Sequence, residues 1–409
     1  MGKFIGGKKG SSVDLGKNVP DGIYNLDSQY QGTRLGGWDG GIVATGGIIS
    51  DYQEPTGELY RAHIFLAPGT FTVTSTGKSS DNWGSTIDLL VVGSGGSGSG
   101  AVPGYWSGAG GGAGGVVEVE KYPVSAASYT IDLGRAGRGG VATQPTTQSG
   151  GADPTTFTNP SGPLTITANG GGGGGGSGPS VPQANQRGAG GGSSGGSGAR
   201  PNAGMTGNVA ATMPGAPTQQ DANSSYPAPV NLRQYGSWGG LGDETSTGEG
   251  SGGGGAGTKG GDVSDPKSAT ANNSGGSGHK NAWAIGSALE YGKGGNAGPA
   301  NAGPGNDSFV GANYVGNAGE GNGGNGGSAP PGAEPGGFGQ VGSVVVRYRI
   351  GQSRTKAGTI TSAKATGGAI QYVGDKTVHV FYTPGNFVNS SGGALTCNFL
   401  MVGGGGGGG

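Results

Sequence analysis

Charge, cysteine and long apolar runs are all scarce in this sequence. Charged residues make up 11% of it and the net charge is −1, so it lacks the basic footprint of a nucleic-acid binder. A single cysteine, Cys397, excludes an intrachain disulfide framework, and we expect it to be a buried strand residue. No apolar run reaches 18 residues, so no membrane insertion is predicted.

Helical periodicity and clustered titratable groups are scarce as well. Residues 282–291 alone in the glycine-rich region are compatible with a short helix, or else with a loop. The histidines are His63, His279 and His379, and the first and last hold equivalent strand positions of a repeat, which indicates a structural role. His279 has no cysteine or aspartate set at metal-ligand spacing. We therefore predict no enzyme activity, no cofactor and no metal site.

Glycine is what the sequence has in abundance. It holds 105 glycines and 23 prolines in 409 residues, a content for which low-complexity disorder is the default interpretation. A junction in the sequence indicates instead that the glycine-rich part is ordered: the apolar run 87–92, a predicted strand, passes directly into glycines. The junction recurs where 398–402, predicted as a strand, passes into the glycines 403–409, and the segment upstream, 61–73, resembles 377–388.

Alternating and β-branched runs predict an antiparallel β frame. We expect two or three strands in 42–74 with turns at Gly46-Gly47 and Pro68-Gly69, and loop-like structure in 134–163. In the predicted strand 115–122, the alternation of apolar and polar residues leaves Glu118 and Glu120 on the solvent side. The remaining predicted strands cover 87–92, 115–122, 129–133, 164–167 and 342–350.

The glycine tracts between 170 and 342 can be ordered if they bond to one another. An extended threefold helix of the polyproline II kind leaves every backbone N–H and C=O free for neighbouring helices, and glycine allows close lateral packing. Collagen is rejected because Gly316 and Gly319 are out of phase with Gly321. The predicted fold class is mainly β, with an antiparallel β frame bracketing a bundle of polyglycine II helices and almost no α-helix.

The same patterns divide the chain into five parts. We predict an N-terminal attachment peptide in 1–20, a short turn or helix connector in 21–43 and the glycine-rich domain in 44–350. A linker in 351–366 then leads to the start of a second copy of the module in 367–409, which we expect to continue beyond Gly409.

This order of elements resembles the glycine-rich domain of bacteriophage tail-fibre and adhesin proteins, particularly those of marine phages. The resemblance covers 22–350 and restarts at about 367. It implies a virion protein, assembled in the host cytoplasm, whose glycine helices form a rigid sandwich and whose loops touch the host surface. The residues that carry it are His63-Ile64-Phe65, Pro68-Gly69-Thr70-Phe71-Thr72-Val73, Leu89-Leu90-Val91-Val92-Gly93, Gly110-Gly111-Gly112-Ala113-Gly114-Gly115-Val116-Val117, Gly342-Ser343-Val344-Val345-Val346-Arg347-Tyr348, and the element Gly22-Ile23-Tyr24-Asn25-Leu26 up to Trp38.

Aromatic residues in the polar insertions are the candidates for receptor contact, because rigid amphipathic rings anchor recognition surfaces. The expected partner is a host saccharide or an outer-membrane protein. The alternative for each ring is that it covers an end of the glycine bundle. The receptor-binding candidates are Tyr105, Trp106, Tyr226, Tyr235, Trp238, Trp283, Tyr291 and Tyr314, and the virion-attachment candidates are Lys3, Phe4, Ile5, Lys8 and Lys9.

Two other interpretations stay open from the sequence. A capsid decoration or head-fibre protein would share the fold but attach through its N-terminus to the capsid lattice, whereas a tail fibre attaches to other tail proteins. A secreted glycine-rich structural protein with a disordered spacer is the third. The oligomeric state is open between a trimer, which is common among fibres, and a monomer.

Overall fold

The structure is a computed structural model that describes most of the glycine-rich domain and part of the second copy. The predicted attachment peptide, 1–20, and all but the last three residues of the predicted connector, 21–43, lie outside the described residues. The described residues are 41–56, 58–77, 84–101, 107–140, 149–160, 165–178, 181, 183–199, 231–242, 249–263, 274–298, 319–327, 335–352, 364–373, 376–381 and 385–401.

Two antiparallel sheets form a sandwich. The five-stranded sheet has the order β1-β4-β7-β8-β9 and the six-stranded sheet the order β10-β6-β5-β13-β3-β2. The hairpins β11-β12 and β15-β16 and the strand pair β14-β17 form three small sheets. The strands are β1 Val43–Thr45, β2 Ile48–Gln53, β3 Glu58–Phe65, β4 Gly69–Ser75, β5 Thr86–Val92, β6 Val116–Pro123, β7 Ala127–Asp132, β8 Thr155–Thr158, β9 Thr165–Ala168, β10 Asn231–Tyr235, β11 His279–Asn281, β12 Leu289–Tyr291, β13 Ser343–Gln352, β14 Ala365–Thr366, β15 Ala369–Val373, β16 Lys376–Val380 and β17 Val388–Asn389.

The six-stranded sheet is buried on both faces, which is why its strands read as nearly continuous apolar runs. In β5, Leu89 joins the core between the two sheets while Leu90 joins a second apolar cluster on the outer face. On the facing sheet the ring of Tyr129 stacks on Phe157 with centroids 5.3 Å apart. We call the two sides of the six-stranded sheet its inner and outer faces.

Three local predictions are corrected here. Residues 42–74 hold four strands where two or three were expected, and β8 lies in 134–163, which was predicted to be loop-like. The four residues of β8 alternate, and Phe157 is fully buried between the sheets, so tertiary packing stabilises a run too short to stand out. The candidate helix at 282–291 is wrong as well, because this segment contributes a turn and strand β12 of a hairpin.

The glycine tracts are ordered by backbone hydrogen bonds with a threefold period. In the tract 107–115, successive N–H groups donate to three neighbouring tracts in rotation, and the partner tract recurs every third residue. This is the period of the polyproline II helix, which makes no internal hydrogen bonds. The donor and acceptor pairs, 2.7 to 3.0 Å apart, are Gly110 with Ser251, Gly111 with Gly324, Gly112 with Gly172, Ala113 with Gly254, Gly114 with Gly321 and Gly115 with Asn169.

These bonds arrange the described tracts on a hexagonal lattice in three layers. The tracts 93–99 and 107–115 lie at the centre, and each bonds to six neighbours. A further tract, 188–192, packs outside the upper layer, beside the four-residue helix α1, Gln183–Gln186. The middle layer contains 134–140, 93–99, 107–115, 249–257 and 258–263; the upper layer contains 149–153, 170–178, 193–199 and 237–242; the lower layer contains 335–342, 321–327, 292–298 and 274–278.

Close approach of the tracts explains their composition. A Cβ added at Gly111 would lie far inside 3.0 Å of the carbonyl oxygen of Gly96, and one at Gly253 would meet that of Gly111 in the same way. Several serines take the place of glycine in the tracts and donate from the hydroxyl to a neighbouring carbonyl, as Ser99 Oγ does to Gly175 O at 2.8 Å. The predicted fold class, a mainly β frame with a polyglycine II bundle, is confirmed.

The second copy repeats the beginning of the first in structure as well as in sequence. His63 Nδ1 lies 2.6 Å from the carbonyl of Gly46, the first glycine of a Gly-Gly turn, and His379 Nδ1 lies 2.8 Å from that of Gly367. Both histidines are therefore structural, as predicted. The same edge-on ring contact, with centroids 5.1 Å apart, joins His63 to Phe71 and His379 to Phe387.

The end of the second copy departs from the prediction. Cys397 is exposed and lies outside the strands, and the described part of the predicted strand 398–402 is extended and exposed. In the first copy, β5 is held between β6 and β13. Among the described residues, β16 pairs only with β15. The junction of the second copy therefore lacks described partner strands equivalent to β6 and β13.

Replacement of Gly111 by alanine tests the lattice. The added methyl group meets backbone from which nothing can rotate away, so Gly111→Ala should lower the free energy of unfolding by about 3 kcal/mol or more. Guanidinium unfolding measures this. The matched control is Gly151→Ala, whose added Cβ meets no atom closer than 3.5 Å, with an expected change within about 0.5 kcal/mol. Equal stability of both variants would contradict close packing of the tracts.

Candidate functional site

The predicted contact residues divide between described and undescribed parts of the chain. Tyr235, Trp238, Trp283 and Tyr291 are described. The other receptor-binding candidates, Tyr105, Trp106, Tyr226 and Tyr314, lie outside the described residues, as do the attachment candidates Lys3, Phe4, Ile5, Lys8 and Lys9.

The two ends of the glycine bundle differ in what they connect. At one end the tracts continue into strands of the sandwich, as 93–99 follows β5 and 107–115 precedes β6. We call the opposite end the distal end. The hydrogen bond from Ser99 to Ala109 and that from Gly327 to Ser99 lie there. Five segments outside the described residues are flanked on both sides by residues that lie at the distal end. These segments are 102–106, 141–148, 243–248, 264–273 and 328–334.

Trp238 lies on the flank of the bundle. It follows the first residue of the upper-layer tract 237–242, and its side chain is 42% exposed. The carbonyl of Ser237 accepts a hydrogen bond from Ser194 near the sandwich end. This ring is therefore available to a partner, although at a distance from the distal end.

The other three described candidates converge on the outer face of the six-stranded sheet. Hairpin β11-β12 leaves the glycine region and packs across this face, where Tyr291 is buried in the second apolar cluster. Burial raises the pKa of the Tyr291 hydroxyl far above its ordinary value. Trp283 and Tyr235 are partly buried against the same cluster. Tyr291 thus presents no ring to solvent, and all three help to fasten the hairpin.

Two groups of polar contacts hold hairpin β11-β12 to the outer face, and the first is centred on Arg347. Its guanidinium lies between the rings of Tyr60 and Trp283, 4.4 and 4.6 Å from their centroids. It also donates to the carboxylates of Asp88, at 3.0 Å, and Glu54. Burial raises the pKa of Asp88 even though the arginine opposes it. The buried cation is thereby paired on both sides, as its removal from water requires.

Tyr52 links the same cluster to the hairpin backbone. Its hydroxyl donates to the carbonyl of Trp283 at 2.9 Å and accepts from Arg347 at 3.2 Å. Burial raises its pKa to about 12, against the attraction of Arg347. The tyrosine therefore stays a neutral donor at any physiological pH.

The second group of contacts between the hairpin and the outer face is centred on Glu118. The prediction that this side chain faces solvent is wrong. Glu118 is 6% exposed and accepts hydrogen bonds from Asn281 at 2.6 Å and from Tyr235 at 3.0 Å. His279 Nε2 lies 2.8 Å from the same carboxylate, and its ring stacks on Tyr235. Alternation placed Glu118 on the outer face correctly. Alternation could not predict that hairpin β11-β12, about 160 residues further along the chain, covers that face.

Burial alone would raise the pKa of Glu118. The hydrogen bonds from His279 and Asn281 outweigh burial, so its pKa lies below the ordinary value. The carboxylate is thus held ionised and fully bonded. Neither Glu118 nor Arg347 was singled out by sequence analysis, because their partners come from segments remote in the chain.

The described residues contain no group of three or more histidine, cysteine, aspartate or glutamate side chains that could hold a metal ion. None of the helices in the described ranges is both long and apolar enough to cross a membrane.

Comparison with known protein families shows to which family this chain belongs. The model of the family described as a glycine-rich domain matches residues 67–349, well over half of the chain. The chain belongs to the glycine-rich domain family. The match runs from just before β4 almost to the end of β13, so it takes in the described bundle and most strands of both sheets but leaves out β1, β2 and β3. No curated protein matches the chain.

Replacement of Glu118 by glutamine tests the hairpin fastening. Because the folded-state pKa is lowered, the stability due to this carboxylate is present above its ordinary pKa of 4.5 and is lost as the pH falls through the lower folded value. At pH 7, Glu118→Gln should cost about 1 to 2 kcal/mol and speed hydrogen exchange in 279–291.

Between pH 5 and pH 3 the wild type should lose this advantage over the variant, as urea unfolding at each pH can measure. Glu120→Gln, on the same strand and face but partly exposed, is the control and should change stability by less than about 0.5 kcal/mol. A pH-independent difference between wild type and Glu118→Gln would mean that the charge of Glu118 contributes nothing.

Proposed function

We propose that this chain is a structural protein of a bacteriophage virion, a tail-fibre adhesin that displays loops to the host surface. The observation that carries the proposal is that, at five inserted segments, the described chain leaves and rejoins the bundle at the same end, the distal end. A scaffold that gathers variable loops at one end of a rigid core is the usual arrangement for recognition.

Rigidity of the bundle supports this role. Each central tract bonds to six neighbours through the backbone, and the tract glycines are closely packed. A lattice of this kind fixes the two ends of each inserted segment, which removes part of the conformational freedom that binding would otherwise cost. The bundle would thus hold contact residues such as Tyr105 and Trp106, which directly precede the tract at Ser107, ready for a receptor.

The polarity of the molecule also fits attachment at one end and recognition at the other. The described chain begins at Gly41 and enters β1, in the sandwich. The segment 1–40 therefore joins the domain at the sandwich, away from the distal end. Residues 1–20 would dock to another virion protein, and the host saccharide or outer-membrane protein would be met at the distal loops.

Adsorption assays test the proposal. Virions that carry Tyr105→Ala and Trp106→Ala together should assemble normally and bind host cells at least about tenfold more weakly, since buried aromatic anchors dominate binding energy. Phe338→Ala is the control, because Phe338 is 56% exposed on the lower layer and is no predicted contact. Unchanged adsorption for substitutions at all eight candidate aromatics would contradict the adhesin role.

Labelling of the N-terminal segment in intact particles separates the two virion roles. A tail-fibre adhesin places the label at the tail. A label spread over the capsid would support the alternative of a capsid decoration or head-fibre protein.

A further inference from the structure

A groove runs along the flank of the bundle between the tracts 134–140 and 149–153. Its volume is about 280 Å³, close to the lower end of the range for small-molecule sites, roughly 300 Å³. It is open to solvent along its length. The groove is lined by Arg135, Ala136, Arg138, Gly150, Gly151 and Asp153.

Lattice packing does not account for the two glycines on its floor. At Gly150 an added Cβ would have its nearest neighbour, the Arg138 carbonyl oxygen, at 3.6 Å, and at Gly151 the nearest atom is 3.5 Å away. In the central tracts, as at Gly111, an added Cβ would clash with a carbonyl. A small side chain at 150 or 151 would therefore fit the lattice, and one at 151, whose Cβ has a single neighbour within 4 Å, would occupy space in the groove.

The threefold helix puts two cations on the same side. Arg135 and Arg138 are three residues apart, one turn of the tract, which separates their Cα atoms by about 9 Å. Arg135 pairs with Asp153 at 2.9 Å, and the two side chains are 87% and 50% exposed. An exposed pair of this kind is weak and rearranges easily. Arg138 is exposed and has no ion-pair partner among the residues that the structure describes.

The lining fits a ligand that carries one carboxylate and several hydroxyl groups. A guanidinium binds a carboxylate through two parallel hydrogen bonds, and Arg138 is available for this. Asp153 can accept hydroxyl hydrogens, and it disfavours a doubly charged anion such as phosphate. The exposed backbone of Gly150 and Gly151 lets a sugar ring lie close to it.

We propose that this groove binds a sugar residue bearing a carboxylate, of the hexuronic acid class, within a host surface polysaccharide. The inference deepens the adhesin function proposed above and rests on it for the source of the ligand. Binding involves no covalent step. It relies on Arg138 for the carboxylate, on Asp153 and Arg135 for hydroxyl groups, and on the absence of side chains at 150 and 151.

Calorimetric titration of the full chain tests the proposal directly. A glucuronic acid oligosaccharide should bind, and a neutral glucose oligosaccharide of equal length should not. Arg138→Gln and Gly151→Val should each weaken binding at least about tenfold, the first by removing a charged hydrogen-bond donor and the second by filling the groove. Arg233→Gln, which removes one positive charge on strand β10, is the control and should change the dissociation constant less than about twofold.

The outcomes are separable. Equal binding by wild type, Arg138→Gln and Gly151→Val, or no binding of the acidic oligosaccharide, overturns the groove assignment, as does equal affinity for inorganic phosphate. If Gly151→Val alters the unfolding transition, Arg138→Gln decides alone. Loss of oligosaccharide binding with normal host adsorption refutes the groove and leaves the adhesin role. Oligosaccharide binding by a protein that never adsorbs to cells refutes the adhesin role instead.

Discussion

Backbone hydrogen bonds between glycine tracts are the interaction on which this fold depends. Each tract is an extended threefold helix that satisfies none of its own polar groups, so it is stable only where neighbours supply partners. The partners come close enough only if the contact positions lack side chains, as Gly111 against Gly96 illustrates. Glycine, which loses the most conformational freedom on folding, is thus ordered by the contacts that its lack of a side chain permits.

The sandwich and the bundle hold each other in register. Strands β5, β6 and β13 pair side by side and continue into or from the tracts 93–99, 107–115 and 335–342, so the sheet sets the starting positions of the lattice. The bundle in return contributes the hairpin that covers the outer face. Glu118 and Arg347 pin that hairpin at two points, and each buried charge is matched by several partners.

Much of the fold could be predicted from the sequence, whereas the cluster on the outer face could not. Period-2 alternation located most of the strands, and the repeated strand-to-glycine junction indicated a module reused at its end. The hairpin β11-β12 was missed because its three-residue strands are too short for periodicity. The burial of Glu118 was missed because its partner His279 lies 161 positions away. The repeat also misled at Cys397, since equal sequence forms equal structure only when equivalent neighbours are present.

Hydrogen exchange resolved by peptide measures the central claim most directly. If the lattice exists in solution, amides in 170–178 and 249–257 exchange as slowly as those of strand β5, because each N–H is held by another tract. Exchange of these tracts at the rate of an unstructured peptide, with protection confined to the strands of the two sheets, would mean that the glycine region is a flexible spacer and that no bundle forms.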